Sequence, residues 1–168
     1  MSRYIEDFAQ EFRDSASHWR KDWDGQWQGV DGAAGAPPDH WATAIRLVSQ
    51  DLGSGLLANI VDLTGASWHV FISPDGQAKI ELHIIRDGEE TGFVSNDELT
   101  SANCTVEDAI YRTAAIVQGD LTGYHHILWP EIGGRLFEPT KQDGKTYWAD
   151  LAGRDARVFE IGQLAAAT

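Results

Sequence analysis

A chain of 168 residues with a formal net charge of −13 lacks the cationic surplus that displaces counterions from phosphates, which excludes direct nucleic-acid binding of the ordinary kind. Its 42% hydrophobic content, with no apolar run of spanning length, predicts one α+β domain over residues 1–168 and no membrane span. A lone cysteine, Cys104, leaves no internal disulfide, and Met1-Ser2-Arg3 leads into a charged pattern and not an apolar leader, so a cytoplasmic protein is expected.

Residues 4–23 carry Ile5, Phe8, Phe12, Ala16, Trp19 and Trp23 at three- and four-residue intervals, with charged side chains between them, which predicts an amphipathic helix. Trp27 continues the spacing past Gly25. Aromatic rings at helical spacing usually belong to a core; the alternative is that Trp23 and Trp27, at the frayed end, anchor a partner, because Trp is the commonest binding hot spot. Residues 24–38 turn to Gly, Ala and Pro and read as a long loop. A second helix is predicted from Asp39 as N-cap, with Trp41, Ile45, Val48 and Leu52 on one face and Gly53 as its stop. Two helices thus precede the sheet.

Residues 56–86 hold the clearest strand signals. A first strand is expected over 56–63, ended by Thr64-Gly65. Trp68, Val70 and Ile72 then alternate with His69 and Phe71, Pro74-Asp75-Gly76 supplies a turn, and Ala78, Ile80, Leu82 and Ile84 alternate with Lys79, Glu81 and His83. Matching apolar to apolar sets Val70 opposite Ile80 and His69 opposite Glu81, because a slip of one residue mixes the faces. His69, Phe71, Lys79, Glu81 and His83 are then expected on a wet face. Two imidazoles there suit a metal, but no Cys or His partner lies at ligand spacing nearby, so no metal or cofactor is expected.

Phe93 and Val94 mark a short strand. Thr105 caps a third helix lined by Val106, Ile110, Ala114 and Val117, with Gly119 as its expected end. Further strands are expected over 124–129, 136–137, 145–151 and 158–161, followed by a loose tail over 163–168. The fold class is therefore α+β: two N-terminal helices, then a largely antiparallel sheet interrupted by one helix.

Charge is distributed unevenly. Residues 31–120 hold 14 acids and 4 bases, net −10, whereas the segments before and after carry −2 and −1. Asp87, Glu89, Glu90, Asp97, Glu98, Glu107 and Asp108 follow one another with no base after Asp87 until Arg112. A field of this sign steers a basic partner, although charge runs often serve only as a solvated face. These seven acids with Trp23 and Trp27 form the expected partner-binding set. The expected function is a small acidic non-catalytic interaction protein that occupies a basic surface of a toxin or DNA-binding enzyme, as an immunity or antitoxin-type inhibitor or a nucleic-acid mimic. The alternative is a small hydrolase or metal-dependent enzyme using His125, His126, His83 or Cys104. Against it, adjacent His125 and His126 would point to opposite faces of a strand, and carboxylates around Cys104 oppose thiolate formation. A homodimer through the tryptophan-rich segment is a third reading.

Overall fold

The computed structural model describes residues 12, 16–55, 57, 61–86, 89–95, 100–123, 125–150 and 158–166. The described chain opens with two strands, β1 (Ser17–Asp22) and β2 (Gln28–Val30), before the helix α1 (Asp39–Leu52). Then come β3 (Asp62–Ile72), β4 (Gln77–Arg86), β5 (Glu89–Ser95), β6 (Thr100–Ser101) and the helix α2 (Val106–Gly123). Five short strands close the sequence: β7 (Glu131–Ile132), β8 (Arg135–Leu136), β9 (Glu138–Gln142), β10 (Lys145–Ala149) and β11 (Val158–Glu160), with a 310 turn at Leu164–Ala166.

The expectation of two N-terminal helices is overturned. Phe12 has helical backbone and is buried, but from Ser17 the chain is strand, and Trp19 pairs with Val70 of β3 and with Gly29 of β2. The reason lies in the number four. An interval of four joins Trp19 to Trp23 on a helix, yet it is also even and keeps both on one face of a strand. Gly25 and Asp24 then favour a turn. The 24–38 loop is correspondingly shortened by β2, where Gly29 lies so close to the Ala33 carbonyl that a Cβ would overlap it.

The main sheet has the order β2-β1-β3-β4-β5, with β6 also pairing β4. All its pairings are antiparallel, and the expected register holds: Val70 faces Ile80 and His69 faces Glu81. Thr64-Gly65 does not end a strand. It lies inside β3, where the register shifts between Asp62 and Ser67, and a Cβ on Gly65 would collide with Ile85 of β4. Glycine lets the irregular stretch lie flat against its neighbour. Of the strand expected over 56–63, residues 56 and 58–60 lie outside the described residues, Leu57 is buried, Val61 precedes β3, and 62–63 open it.

α1 and α2 cover one face of this sheet. Trp41, Ala44, Ile45, Val48 and Leu52 meet Trp68, Val70, Ile80, Leu82 and Ile84 in one core that also takes Ala114, Val117 and Leu121 of α2. The indole of Trp68 donates to Ser49 Oγ at 2.9 Å, which satisfies its polar edge inside the core. Pro38, not Asp39, is the N-cap of α1, while Gly53 ends the helix as expected. Thr105 caps α2 through its hydroxyl, which accepts from the Asp108 amide at 3.1 Å, but the helix runs past Gly119 to Gly123. Residues 125–129 are not strand; His126 has φ 55 and Trp129-Pro130 is cis.

β9, β10 and β11 form a separate three-stranded sheet whose Trp148 joins the same core, edge-on to Trp129 at 5.0 Å. One buried carboxylate ties this end to α1. Asp51, fully withdrawn from water, accepts from Trp148 Nε1 at 2.7 Å, the Gly162 amide at 2.7 Å and the Leu164 amide at 2.9 Å. Burial pushes its carboxyl above the ordinary range, against the three donors that oppose the shift. The tail expected to be loose from residue 163 is therefore held, with Leu164 wholly buried; residues 167–168 lie outside the described ones. Asp51→Ala, which strands three donors in the core, is expected to lower the unfolding free energy by about 3–5 kcal/mol in urea denaturation, and Asp51→Asn, which retains one acceptor oxygen, by less.

Candidate functional site

Two places combine accessible space with chemistry. The first is the sheet face turned away from the helices, where β1 contributes His18 and Arg20, β3 contributes Ser67, His69 and Phe71, and β4 contributes Lys79, Glu81 and His83. Register sets them side by side: Arg20 opposite His69, His18 opposite Phe71, and Ser67 opposite His83. This face is not wet. Ser67, His69, Phe71 and Lys79 are all buried, and Glu81 is 1% exposed.

Buried polar groups must find partners, and these do so within the sheet. Ser67 Oγ lies 3.0 Å from His69 Nε2, and His69 Nδ1 lies 2.9 Å from His18 Nε2. The His69 ring stacks on His83 with centroids 4.2 Å apart. Glu81 takes Lys79 Nζ at 3.3 Å on one oxygen and His83 Nε2 at 3.1 Å on the other. Burial, then the neighbouring His83 and His18, depress His69 from its ordinary 6.5 to about 3, so it is a neutral imidazole at neutral pH. Beside it is a cavity of about 250 Å3 lined by Arg20, Gly65, Ser67, His69, His83 and Ile85. Among the described residues no group of three or more His, Cys, Asp or Glu side chains is arranged to hold a metal.

The second place is an open groove of about 790 Å3 between the β1–β2 turn and α1, with Trp23 and Trp27 on one wall and Ala42, Ile45 and Ser49 on the other. Lys21, Asp39 and Arg46 also line it. Trp23 is fixed by its backbone: its amide donates to the Ala66 carbonyl at 2.9 Å and its own carbonyl accepts from Lys21 Nζ at 2.9 Å. Both indoles are half-buried, so the helix that was to present them is replaced by a turn that still brings them together.

The acidic set is only partly described. Asp87, Asp97 and Glu98 lie outside the described residues; Glu89 and Glu90 open β5, their side chains outside the description. Glu107 and Asp108 occupy the first turn of α2. Asp108 is engaged: Lys141 Nζ donates to it at 2.6 Å, and the bonds from Lys141 and Thr105 hold its carboxyl below the usual range.

The residues of the enzyme alternative occupy separate elements. His83 pairs with Glu81, whereas His125 Nε2 lies 3.3 Å from Asp120 beyond the end of α2 and His126 is exposed. Cys104 stands before α2, where burial and the Asp108 charge push its thiol up. His18 and Arg20 escaped sequence reasoning because residues 17–22 fit a helical stripe, and Ser67 because the hairpin alternation was read from Trp68 onward. The alternation of His18, Arg20 and Asp22 with Trp19, Lys21 and Trp23, closed by Asp24-Gly25, was the signal that marks a strand. No family model, curated protein or solved structure matches the chain.

His69 makes stability depend on pH in a stated direction. Below 6.5 the unfolded chain takes up a proton that the folded chain refuses until about 3, so the contribution is complete above 6.5 and is lost as pH falls through that window. Subtracting the unfolding free energy of His69→Gln from that of the parent chain between pH 7 and 4 is expected to leave a slope approaching about 1.4 kcal/mol per pH unit. A flat difference would mean that His69 titrates alike in both states.

Proposed function

We propose that this chain is a small acidic interaction protein that binds a basic surface of a macromolecular partner in the cytoplasm, as an inhibitor of the immunity or antitoxin type or a mimic of nucleic acid. The observation that carries the reading is the pair of half-buried tryptophans on an open groove in a chain of net charge −13. Large amphipathic rings in a groove give an anchor with little side-chain entropy to lose, and a surplus of carboxylates accelerates encounter with a cationic surface. Support comes from the exposed acids. Asp39 lines the groove beside Lys21 and Arg46, Asp24 and Asp31 are exposed on either side of β2 in sequence, and Asp62 and Asp75 are exposed on the main sheet and its hairpin turn. Among the described residues no helix is long and apolar enough to cross a membrane.

In this reading the groove takes an apolar or aromatic side chain of the partner while exposed carboxylates elsewhere on the surface meet its Lys and Arg. No cofactor is needed. Capture from host lysate on the immobilised chain, eluted in steps of salt, is expected to release a basic protein as ionic strength rises. With that partner in hand, Trp23→Ala or Trp27→Ala is expected to weaken binding by about 2 kcal/mol or more, roughly thirtyfold. Binding that is indifferent to salt, or tryptophan variants that bind as the parent does, would overturn the reading; a dimer that dissociates in those variants would assign the groove to self-association instead.

A further inference from the structure

The hydrogen-bonded line from Ser67 through His69 to His18 has no part in partner binding, and it has the order of a nucleophile, a base and an orienting group. We propose that Ser67 is a nucleophile, that His69 accepts its proton, that His18 orients His69, and that the site takes short acyl esters. One tautomer serves the whole line. With the proton of His69 on Nδ1, donated to His18 Nε2 at 2.9 Å, the bare Nε2 faces the Ser67 hydroxyl at 3.0 Å.

Ser67 and His69 share one face of β3 and His18 lies on the neighbouring β1, so paired strands hold all three, and a sheet positions side chains more tightly than a loop does. The ring of His83 stacked on His69 further restricts its rotation. Space for a substrate adjoins the serine. The cavity of about 250 Å3 falls below the range of drug-sized pockets, which restricts it to a small acyl group, and its lining includes Arg20, a cation that complements a developing oxyanion while its guanidinium also binds Asp22 at 2.8 Å.

The step balances within these groups. Ser67 Oγ adds to the ester carbonyl carbon as its proton passes to His69 Nε2; the ester C–O bond breaks, and the departing alkoxide takes that proton as the alcohol. Water then adds to the acyl-Ser67 carbon through the same base, and the acyl C–Oγ bond breaks to release the carboxylic acid and restore the hydroxyl. His69 is neutral at neutral pH, as a proton acceptor must be, and its weak basicity makes the turnover slow.

Covalent labelling tests this better than turnover. The intact chain is treated with a fluorophosphonate and read by peptide mass spectrometry, with circular dichroism confirming the fold of each variant. A single adduct on Ser67 is expected, absent from Ser67→Ala and retained in Ser101→Ala. Labelling of His69→Gln is expected to be slower by about a hundredfold or more. His18→Leu is expected to slow it about tenfold and His18→Gln, which restores an acceptor to His69 Nδ1–H, to recover most of the rate, a rescue that a purely structural histidine would not show. A folded parent chain with no adduct on Ser67, or a labelling rate unchanged in His69→Gln, would overturn the proposal and leave the partner-binding reading untouched, since neither the groove nor the exposed acids take part.

Discussion

From Ser67 to Phe71 on β3 and from Lys79 to Leu82 on β4 the ladder is buried on both faces, and most of what is unusual in this protein follows from that constraint. On the helix side the consequence is ordinary, because Trp68, Val70, Ile80 and Leu82 lose apolar surface to the core. On the other side Ser67, His69, Lys79 and Glu81 lose their hydration and must recover it from one another. The sheet supplies the geometry for this: side chains two apart on one strand and opposite across strands fall within hydrogen-bond reach. Two lines result, Ser67-His69-His18 and Lys79-Glu81-His83, joined where His69 and His83 stack.

Charge inside and charge outside therefore play different parts. Glu81 is 1% exposed and held between Lys79 and His83, so its removal would leave Lys79 buried without its ion pair to Glu81. On the surface, pairs such as Arg20–Asp22 and Lys145–Glu160 contribute little to stability and leave Asp24, Asp31, Asp39, Asp62 and Asp75 to set the sign of the field. Among the described residues most of the carboxylates stand on the exterior, where they act on encounters more than on the fold.

What the sequence made legible was local. Alternation plus Pro74-Asp75-Gly76 was enough to place Val70 against Ile80, and Gly53 and Thr105 marked a helix end and a helix start that the structure retains. What failed depends on neighbours remote in sequence. Residues 17–22 satisfied both periods, and only the presence of β3 beside them decides for strand. The burial of His69 and Glu81 was equally hidden, since alternating polar residues read the same whether the outer face is wet or covered. Asp51 gave no sign at all: on a helix it looks like a solvated acid, and its three donors lie 97 to 113 residues further on. Of the candidate site, Trp23 and Trp27 were found for their residue type although the helix assigned to them was wrong.

The hold of Asp51 on Gly162 and Leu164 also sets an order of events during synthesis. The carboxylate leaves the ribosome's decoding centre 111 residues before the first of those two amides, an interval of roughly 6 to 22 seconds at ordinary elongation rates. Until Trp148 is made, 97 residues after Asp51, the end of α1 has an acid facing what will become the protein interior and none of its permanent donors, and the two amides follow later still. Native closure of the core around Asp51 is thus a late event, completed only when the last residues of the core have been made.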